Sequence, residues 1–186
     1  MKIGSLFSGY GGLDRACEEV FDAKTAWYCE VEPKAAETMS RHWPDAVNHG
    51  DVTQVDWSQV EPVDILTGGF PCQDVSLAGK QAGMVTGSRS GLWAEFLHAI
   101  TVLRPKFVVI ENVKGLLSAS AGHVGPRPGV LGDEFRLRAL GVVLGQLSEI
   151  GYDAGWETVS ATEAGLAHRR ERVFILAYPQ GTGLEG

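Results

Sequence analysis

Ile3-Gly4-Ser5-Leu6-Phe7-Ser8-Gly9-Tyr10-Gly11-Gly12-Leu13 is the stretch that decides the fold. Its first part, Ile3–Phe7, reads as a short apolar strand. The glycines Gly9, Gly11 and Gly12 then let the backbone turn tightly and come close to a ligand. Gly12–Val20 reads as the helix that follows. Strand, glycine turn and helix make either a plain tight connection or the seat of a nucleotide-type cofactor, with backbone N–H groups aimed at the ligand. The spacing is not GxGxxG, which disfavours a dinucleotide.

The alternation continues outward. Thr25–Val31 reads as a second strand, and Pro33 suits the first turn of a helix that runs to about His42. Val63–Thr67 is a strand. Gly91–Leu103 is a helix closed by Arg104-Pro105, and Phe107–Ile110 is a β-branched strand. Residues 118–132 read as a long loop. A helix is predicted over about Asp133–Ile150, because Leu137, Leu140, Leu144 and Leu147 recur at helical spacing and Gly151 suits its cap. Trp156–Val159 and Val173–Ala177 complete the strands. This order predicts an α/β fold, a mostly parallel sheet with helices on both faces. In such sheets ligands bind beyond the carboxyl ends of the strands.

The 186 residues suit one domain, and 44% hydrophobic with 21% charged residues exclude a disordered chain. No apolar run reaches the ~18 residues of a membrane span, and the apolar stretch at the N-terminus is too short for a secretory signal. The three cysteines, Cys17, Cys29 and Cys72, are odd in number and lack CxxC spacing. That predicts reduced thiols and a cytoplasmic setting, not a disulfide scaffold or a zinc site. The net charge of -7 argues against a generally basic nucleic-acid binder. Its distribution is uneven. Residues 1–66 carry 12 acidic and 5 basic groups, whereas residues 67–128 carry 3 acidic and 6 basic.

The loops after the strands hold the candidate chemistry. Glu30 closes the second strand, where a carboxylate accepts both hydroxyls of a ribose. Asp51 follows Asn48-His49-Gly50, where a third strand would end, and is placed to accept from an adenine amino group. Singly these are solvated loop carboxylates; in order after successive strands they point to an adenosyl cofactor. Cys72 lies in Gly68-Gly69-Phe70-Pro71-Cys72-Gln73. A lone cysteine is commonly a small buried hydrophobe, but here its neighbours are glycine, proline and glutamine. Asp74–Arg89 reads as a long mobile loop. Glu111 follows an apolar strand directly, either as a turn-capping residue or as a partly desolvated acid, a setting that favours its protonated form. His168, Arg170 and Arg172 alternate before the last strand. They form either a charged lead-in or one face that grips a phosphate or polarises a carbonyl.

Together these residues resemble the cytosine-C5 DNA methyltransferase family. Phe7-Ser8-Gly9-Tyr10-Gly11-Gly12 looks like its first cofactor motif, Glu30-Val31-Glu32-Pro33 like its ribose motif and Gly50-Asp51-Val52 like its adenine motif. Gly69-Phe70-Pro71-Cys72-Gln73 with Ser76 and Gly79-Lys80-Gln81 matches the nucleophile motif. Glu111-Asn112-Val113 matches the ENV motif. His168-Arg169-Arg170-Glu171-Arg172 resembles QxRxR, with His168 in place of the commonest glutamine. The resemblance implies a Rossmann-like, S-adenosylmethionine-dependent methyltransferase fold. It implies catalytic roles for Cys72, Glu111, Arg170, Arg172, Pro71 and Asn112. Cofactor contacts fall to Phe7, Ser8, Gly9, Gly11, Gly12, Leu13, Glu30, Val31, Asp51, Val52 and Leu92. DNA contacts fall to Gln73, Ser76, Lys80, Gln81, Arg89 and His168. No metal is implied.

The resemblance covers about residues 3–178, with 179–186 as a tail. Family members continue into a target-recognition domain and a last cofactor motif, and neither has a counterpart in these residues. The resemblance therefore implies a catalytic subunit or fragment acting on double-stranded DNA with a recognition partner, in a restriction–modification setting of a bacterial or phage-infected cell. The contrasting reading is an inactive cofactor-binding remnant or interaction module. An RNA-directed relative fits Pro71-Cys72-Gln73-Asp74-Val75-Ser76 less well. Exposed apolar surface is expected near the C-terminus, where family members carry further structure.

Overall fold

A seven-stranded sheet in the order β3-β2-β1-β4-β5-β9-β8 organises the chain. Its strands are β1 (Lys2–Leu6), β2 (Lys24–Cys29), β3 (Val47–Asn48), β4 (Ile65–Gly68), β5 (Phe107–Val113), β8 (Tyr152–Ser160) and β9 (Glu171–Pro179). The helices are α1 (Gly12–Phe21), α2 (Pro33–His42), α3 (Gly91–Leu103) and α4 (Ala139–Glu149). The computed structural model describes residues 1–71, 91–124 and 135–182.

Strands β3, β2, β1, β4 and β5 run parallel, and β9 and β8 add on antiparallel. The expected α/β architecture is therefore present. Side chains alternate across the strands and build two cores. On one face Leu66, Val108 and Ile110 pack against Trp93, Phe96 and Ile100 of α3 and Leu140, Val143 and Leu147 of α4. On the other, Ile3 and Ile65 pack against Cys17 of α1, with Leu13, Phe21, Phe107 and Val109 beside them. Helices thus cover both faces.

Three expectations need correction. The helix predicted from Asp133 begins at Ala139, because Phe135–Arg138 is a strand, β7, paired antiparallel with β6 (Ser120–Val124). Phe135-Arg136-Leu137-Arg138 alternates apolar and basic residues, a strand period that the leucine spacing masked. For the same reason part of the loop predicted over residues 118–132 is β6. The last strand runs through Pro179, so a boundary at residue 178 falls inside β9.

Both described cysteines are free and buried, and burial pushes each thiol up to about 12. Among the described residues no helix is long and apolar enough to cross a membrane.

Candidate active site

The glycine turn is fixed from several sides. β1 ends at Leu6, and Phe7 takes a positive φ of 54° while its ring sits 6.3 Å from that of Phe96. The Ser8 hydroxyl donates to the Ser5 hydroxyl at 2.7 Å, and Gly9 N–H donates to Glu30 Oε2 at 2.7 Å. Gly11 caps α1 at φ 76°, a conformation that L side chains avoid. A Cβ there would also lie 2.4 Å from the Trp43 ring and 2.7 Å from Met39 Sδ. Gly12 differs: a Cβ there meets nothing within 4 Å. No side chain caps α1, so its first N–H groups remain available to a ligand.

A cavity of about 470 Å3 opens on this turn. Phe7, Ser8, Gly9, Gly12 and Leu13 line one side, and Gly68, Gly69, Glu111, Arg170 and Phe174 line the other. The size is within the range of small-molecule sites. Its walls come from the carboxyl ends of β1, β4 and β5 and from β9, so two candidate groups far apart in sequence share one space.

The acidic residues flank the turn. Glu30 accepts Gly9 N–H with one oxygen and Glu32 N–H, at 2.8 Å, with the other. Asn48 ties the neighbouring loops together: its Nδ2 donates to the Glu30 carbonyl at 3.1 Å, and its Oδ1 accepts from Gly50 N–H at 2.9 Å. Asp51 Oδ1 accepts the Thr53 N–H and hydroxyl, both at 2.9 Å, and caps a 3-10 turn. Val31 is exposed beside Glu30, whereas Val52 is buried in the main core and backs the loop from below. Leu92, in the first turn of α3, packs on that core and is not among the residues lining the cavity.

Gly68 and Gly69 let the end of β4 approach its neighbours. A Cβ at Gly68 would stand 2.8 Å from the Phe96 ring and 2.9 Å from the Leu6 carbonyl oxygen. At Gly69 it would stand 3.3 Å from Glu111 Oε2. Asn112 is buried; its Nδ2 donates to the Phe70 carbonyl at 2.8 Å, and its Oδ1 accepts Val113 N–H at 2.8 Å. It therefore anchors the chain one residue before Pro71, which is exposed. Cys72, Gln73, Ser76, Lys80, Gln81 and Arg89 lie outside the described residues.

Glu111 is not an isolated acid. Arg172 Nε lies 2.7 Å from its Oε1, with the two side chains 21% and 31% exposed respectively. The antiparallel register sets this pairing, with Arg172 opposite Val113 and Phe174 opposite Glu111. The single charged face expected from His168, Arg170 and Arg172 does not form as drawn. β9 starts at Glu171, and residues 161–170 form the connection from β8, closed by Ala161 N–H donating to the Arg170 carbonyl at 2.8 Å. Arg172 reaches Glu111, Arg170 lines the cavity, and His168 is exposed on the connection.

The structure adds residues that the sequence reading missed. Asn48 ties the Glu30 and Asp51 loops together, and Ser5, Asp14 and Thr67 form a buried polar group beneath the turn. Two signals pointed to this group: a serine within the apolar first strand, and an aspartate three residues before Cys17 on the buried side of α1.

Residues 1–185 match the family described as C-5 cytosine-specific DNA methylase. The chain belongs to that family. Among curated methylases it is 31% identical to the type II methyltransferase M.NlaIV of Neisseria lactamica over 180 residues, 94% of this chain and 40% of that protein. It is 34% identical to M2.BsuMI of Bacillus subtilis (strain 168), over 95% of this chain and 42% of that relative. The chain thus spans about two fifths of the length of the curated relatives it matches. Two solved structures share the fold. The S. pombe Dnmt2 methyltransferase aligns with TM-score 0.69 and 18% identity, over 98% of this chain and 52% of its own. The Spodoptera frugiperda DNMT2 mutant E260A/E261A/K263A aligns with TM-score 0.72 and 16% identity, over all of this chain and 52% of its own. Cytosine-C5 methylases use S-adenosyl-L-methionine as methyl donor.

Proposed function

We propose that this chain is the catalytic part of a DNA cytosine-C5 methyltransferase, working through a covalent bond from Cys72. One observation carries the reading: a single cavity joins the glycine turn Phe7–Leu13 to Glu111 and Arg170.

The chain's residues fit the cofactor. Gly9, Gly12 and the uncapped start of α1 offer backbone to its polar end, while Glu30 and Asp51 keep acceptor lone pairs for ribose and adenine. When bound, S-adenosylmethionine supplies an electrophilic methyl group. The target cytosine must leave the duplex stack to enter the cavity. The Cys72 thiolate adds to C6 of the base, forming a carbon–sulfur bond. Glu111 engages the exocyclic amine and N3, so that electron density builds at C5. Arg172 holds the Glu111 carboxylate, and Arg170 and Arg172 stabilise charge on the base carbonyl. After C5 is methylated, its proton leaves and the bond to Cys72 breaks, releasing 5-methylcytosine.

Target recognition is supplied outside these residues, by further chain or by a second subunit. β5, β9 and β8 leave a groove of about 300 Å3 whose lining includes Val109, Trp156, Phe174 and Leu176. Trp156 there is 48% exposed, which supports docking of such a segment.

Methyl transfer from labelled cofactor to DNA tests the reading, with the chain alone and with a recognition subunit added. Incorporation that disappears in Cys72→Ala is the expected result. Incorporation that survives Cys72→Ala overturns the covalent route. No incorporation with either preparation leaves the cofactor-binding remnant as the account.

A further inference from the structure

Beneath the glycine turn lies a group of buried polar side chains that the reaction above does not use. Asp14, in the first turn of α1, is 1% exposed, Ser5 on β1 is 1% exposed and Thr67 on β4 is fully buried. The Thr67 hydroxyl donates to Asp14 Oδ1 at 2.5 Å, the Ser8 hydroxyl donates to Ser5 at 2.7 Å, and Ser5 and Asp14 border the same cavity. Two bonded pairs result, Ser8 with Ser5 and Asp14 with Thr67; Ser8 also borders the cavity, and Thr67 lies behind Asp14 on β4. One residue beyond Thr67 begins Gly68-Gly69-Phe70-Pro71, which leads to Cys72.

We propose that Asp14 is a positioning residue that holds the cofactor turn and the strand leading to the nucleophile in one fixed relation. The inference rests on the cytosine-methylase reading of the cavity.

Three physical points carry it. First, a carboxyl is costly to bury, and an apolar residue would suit this side of α1, where Cys17 follows one turn later. Second, the carboxyl meets Thr67 with Oδ1 and keeps a second oxygen as an acceptor on the side of Ser5. Third, the pair with Thr67 is satisfied with the carboxyl ionised or neutral. Ionised, it accepts from the Thr67 hydroxyl. Neutral, it can donate to Thr67 Oγ1, whose own proton then reaches toward the Gly4 carbonyl oxygen, 3.4 Å away. Fully satisfied buried networks rigidify what they connect. Without Asp14 the turn keeps its ties to β1 and β2, Gly9 N–H to Glu30, Ser8 N–H to the Cys29 carbonyl and the Ser8 hydroxyl to Ser5, but loses the side-chain tie from the start of α1 to β4.

The test is calorimetric binding of S-adenosylmethionine to the full chain and its variants, with thermal melting alongside. Asp14→Ala and Ser8→Ala should each weaken binding about fivefold, the loss of one net hydrogen bond. The double variant should be no weaker than the worse single one, because both loosen the same turn. Asp14→Asn keeps an acceptor and a donor and should restore binding to within about twofold. Thr67→Val, away from the cavity, should also weaken binding, and it keeps the test decisive if Asp14→Ala fails to fold. The inference is overturned if Asp14→Ala folds and binds as wild type does, if Thr67→Val leaves binding untouched, or if the Ser8 and Asp14 effects multiply. A folded wild type that binds no S-adenosylmethionine instead overturns the reading of the cavity itself, which separates the two failures.

Discussion

Adjacent glycines in the turn should respond to the same substitution in opposite ways. Gly11→Ala places a Cβ at φ 76°, 2.4 Å from the Trp43 ring and 2.7 Å from Met39 Sδ. A left-handed conformation costs an L residue about 1–2 kcal/mol. Trp43 cannot move freely, because its Nε1 donates to Glu18 at 2.7 Å, so the overpacking adds roughly 1–3 kcal/mol. The total, about 2–5 kcal/mol, lowers the melting temperature of a domain this size by roughly 4–20 °C. Gly12→Ala has the reverse profile. Its Cβ meets nothing, its φ is ordinary, and alanine is the better helix former, so melting should be unchanged or slightly higher. The new methyl group enters the cavity wall, however, and should weaken S-adenosylmethionine binding by at least about tenfold, or 1.4 kcal/mol. Differential scanning fluorimetry and calorimetric titration of both variants read the two quantities. A Gly12→Ala variant that binds like wild type would refute the placement of the cofactor. A Gly11→Ala variant that melts like wild type would refute the account of the turn.

Asn112→Ala leaves the buried Phe70 carbonyl and Val113 N–H without their partner, at about 1–3 kcal/mol for each group. Thermal melting should fall by roughly 4–24 °C; an unchanged melt contradicts the anchoring role. Burial raises the Asp14 carboxyl above its ordinary range, so the folded state holds this proton at pH values where the unfolded chain has lost it. Its contribution to stability is therefore present below the ordinary carboxylate pKa and is lost as pH rises through the raised value. Asp64, held low by Lys106 and the Lys2 N–H, works in the opposite sense and in a lower window. Denaturant titrations across pH should show Asp14→Asn gaining stability over wild type as pH rises above the ordinary carboxylate range; a constant difference contradicts the assignment. Trp156→Ser should reduce binding of a hydrophobic dye and self-association with little change in melting, since the ring is already half exposed. Unchanged dye binding would remove the groove as a docking surface.

The parts of the fold that were legible in the sequence were those governed by local rules. Ile3–Phe7, the glycines after it, Pro33 at the start of α2 and the β-branched run before Glu111 each carry a nearby cause, and each forms close to its expected place. β7 was misread because Phe135–Arg138 satisfies a strand period while Leu137 also fits the leucine spacing of α4. Only pairing with β6, more than ten residues away, decides between them. The site was legible as separate motifs but not as contacts. Nothing local in Glu111 or Arg172 shows that the antiparallel addition of β9 makes them an ion pair. The same holds for Asp14, whose hydrogen-bond partner Thr67 comes from β4.

The claim that this cavity performs cytosine methylation through Cys72 is tested most directly by trapping on DNA containing 5-fluorocytosine, at high protein concentration and with S-adenosylmethionine present. Fluorine at C5 blocks loss of the proton and so blocks release of the thiol. The account predicts a protein–DNA adduct that survives denaturing electrophoresis, requires S-adenosylmethionine and is absent in Cys72→Ala. An adduct that persists in Cys72→Ala, or no adduct from a wild-type chain saturated with S-adenosylmethionine and supplied with its recognition subunit, would contradict it.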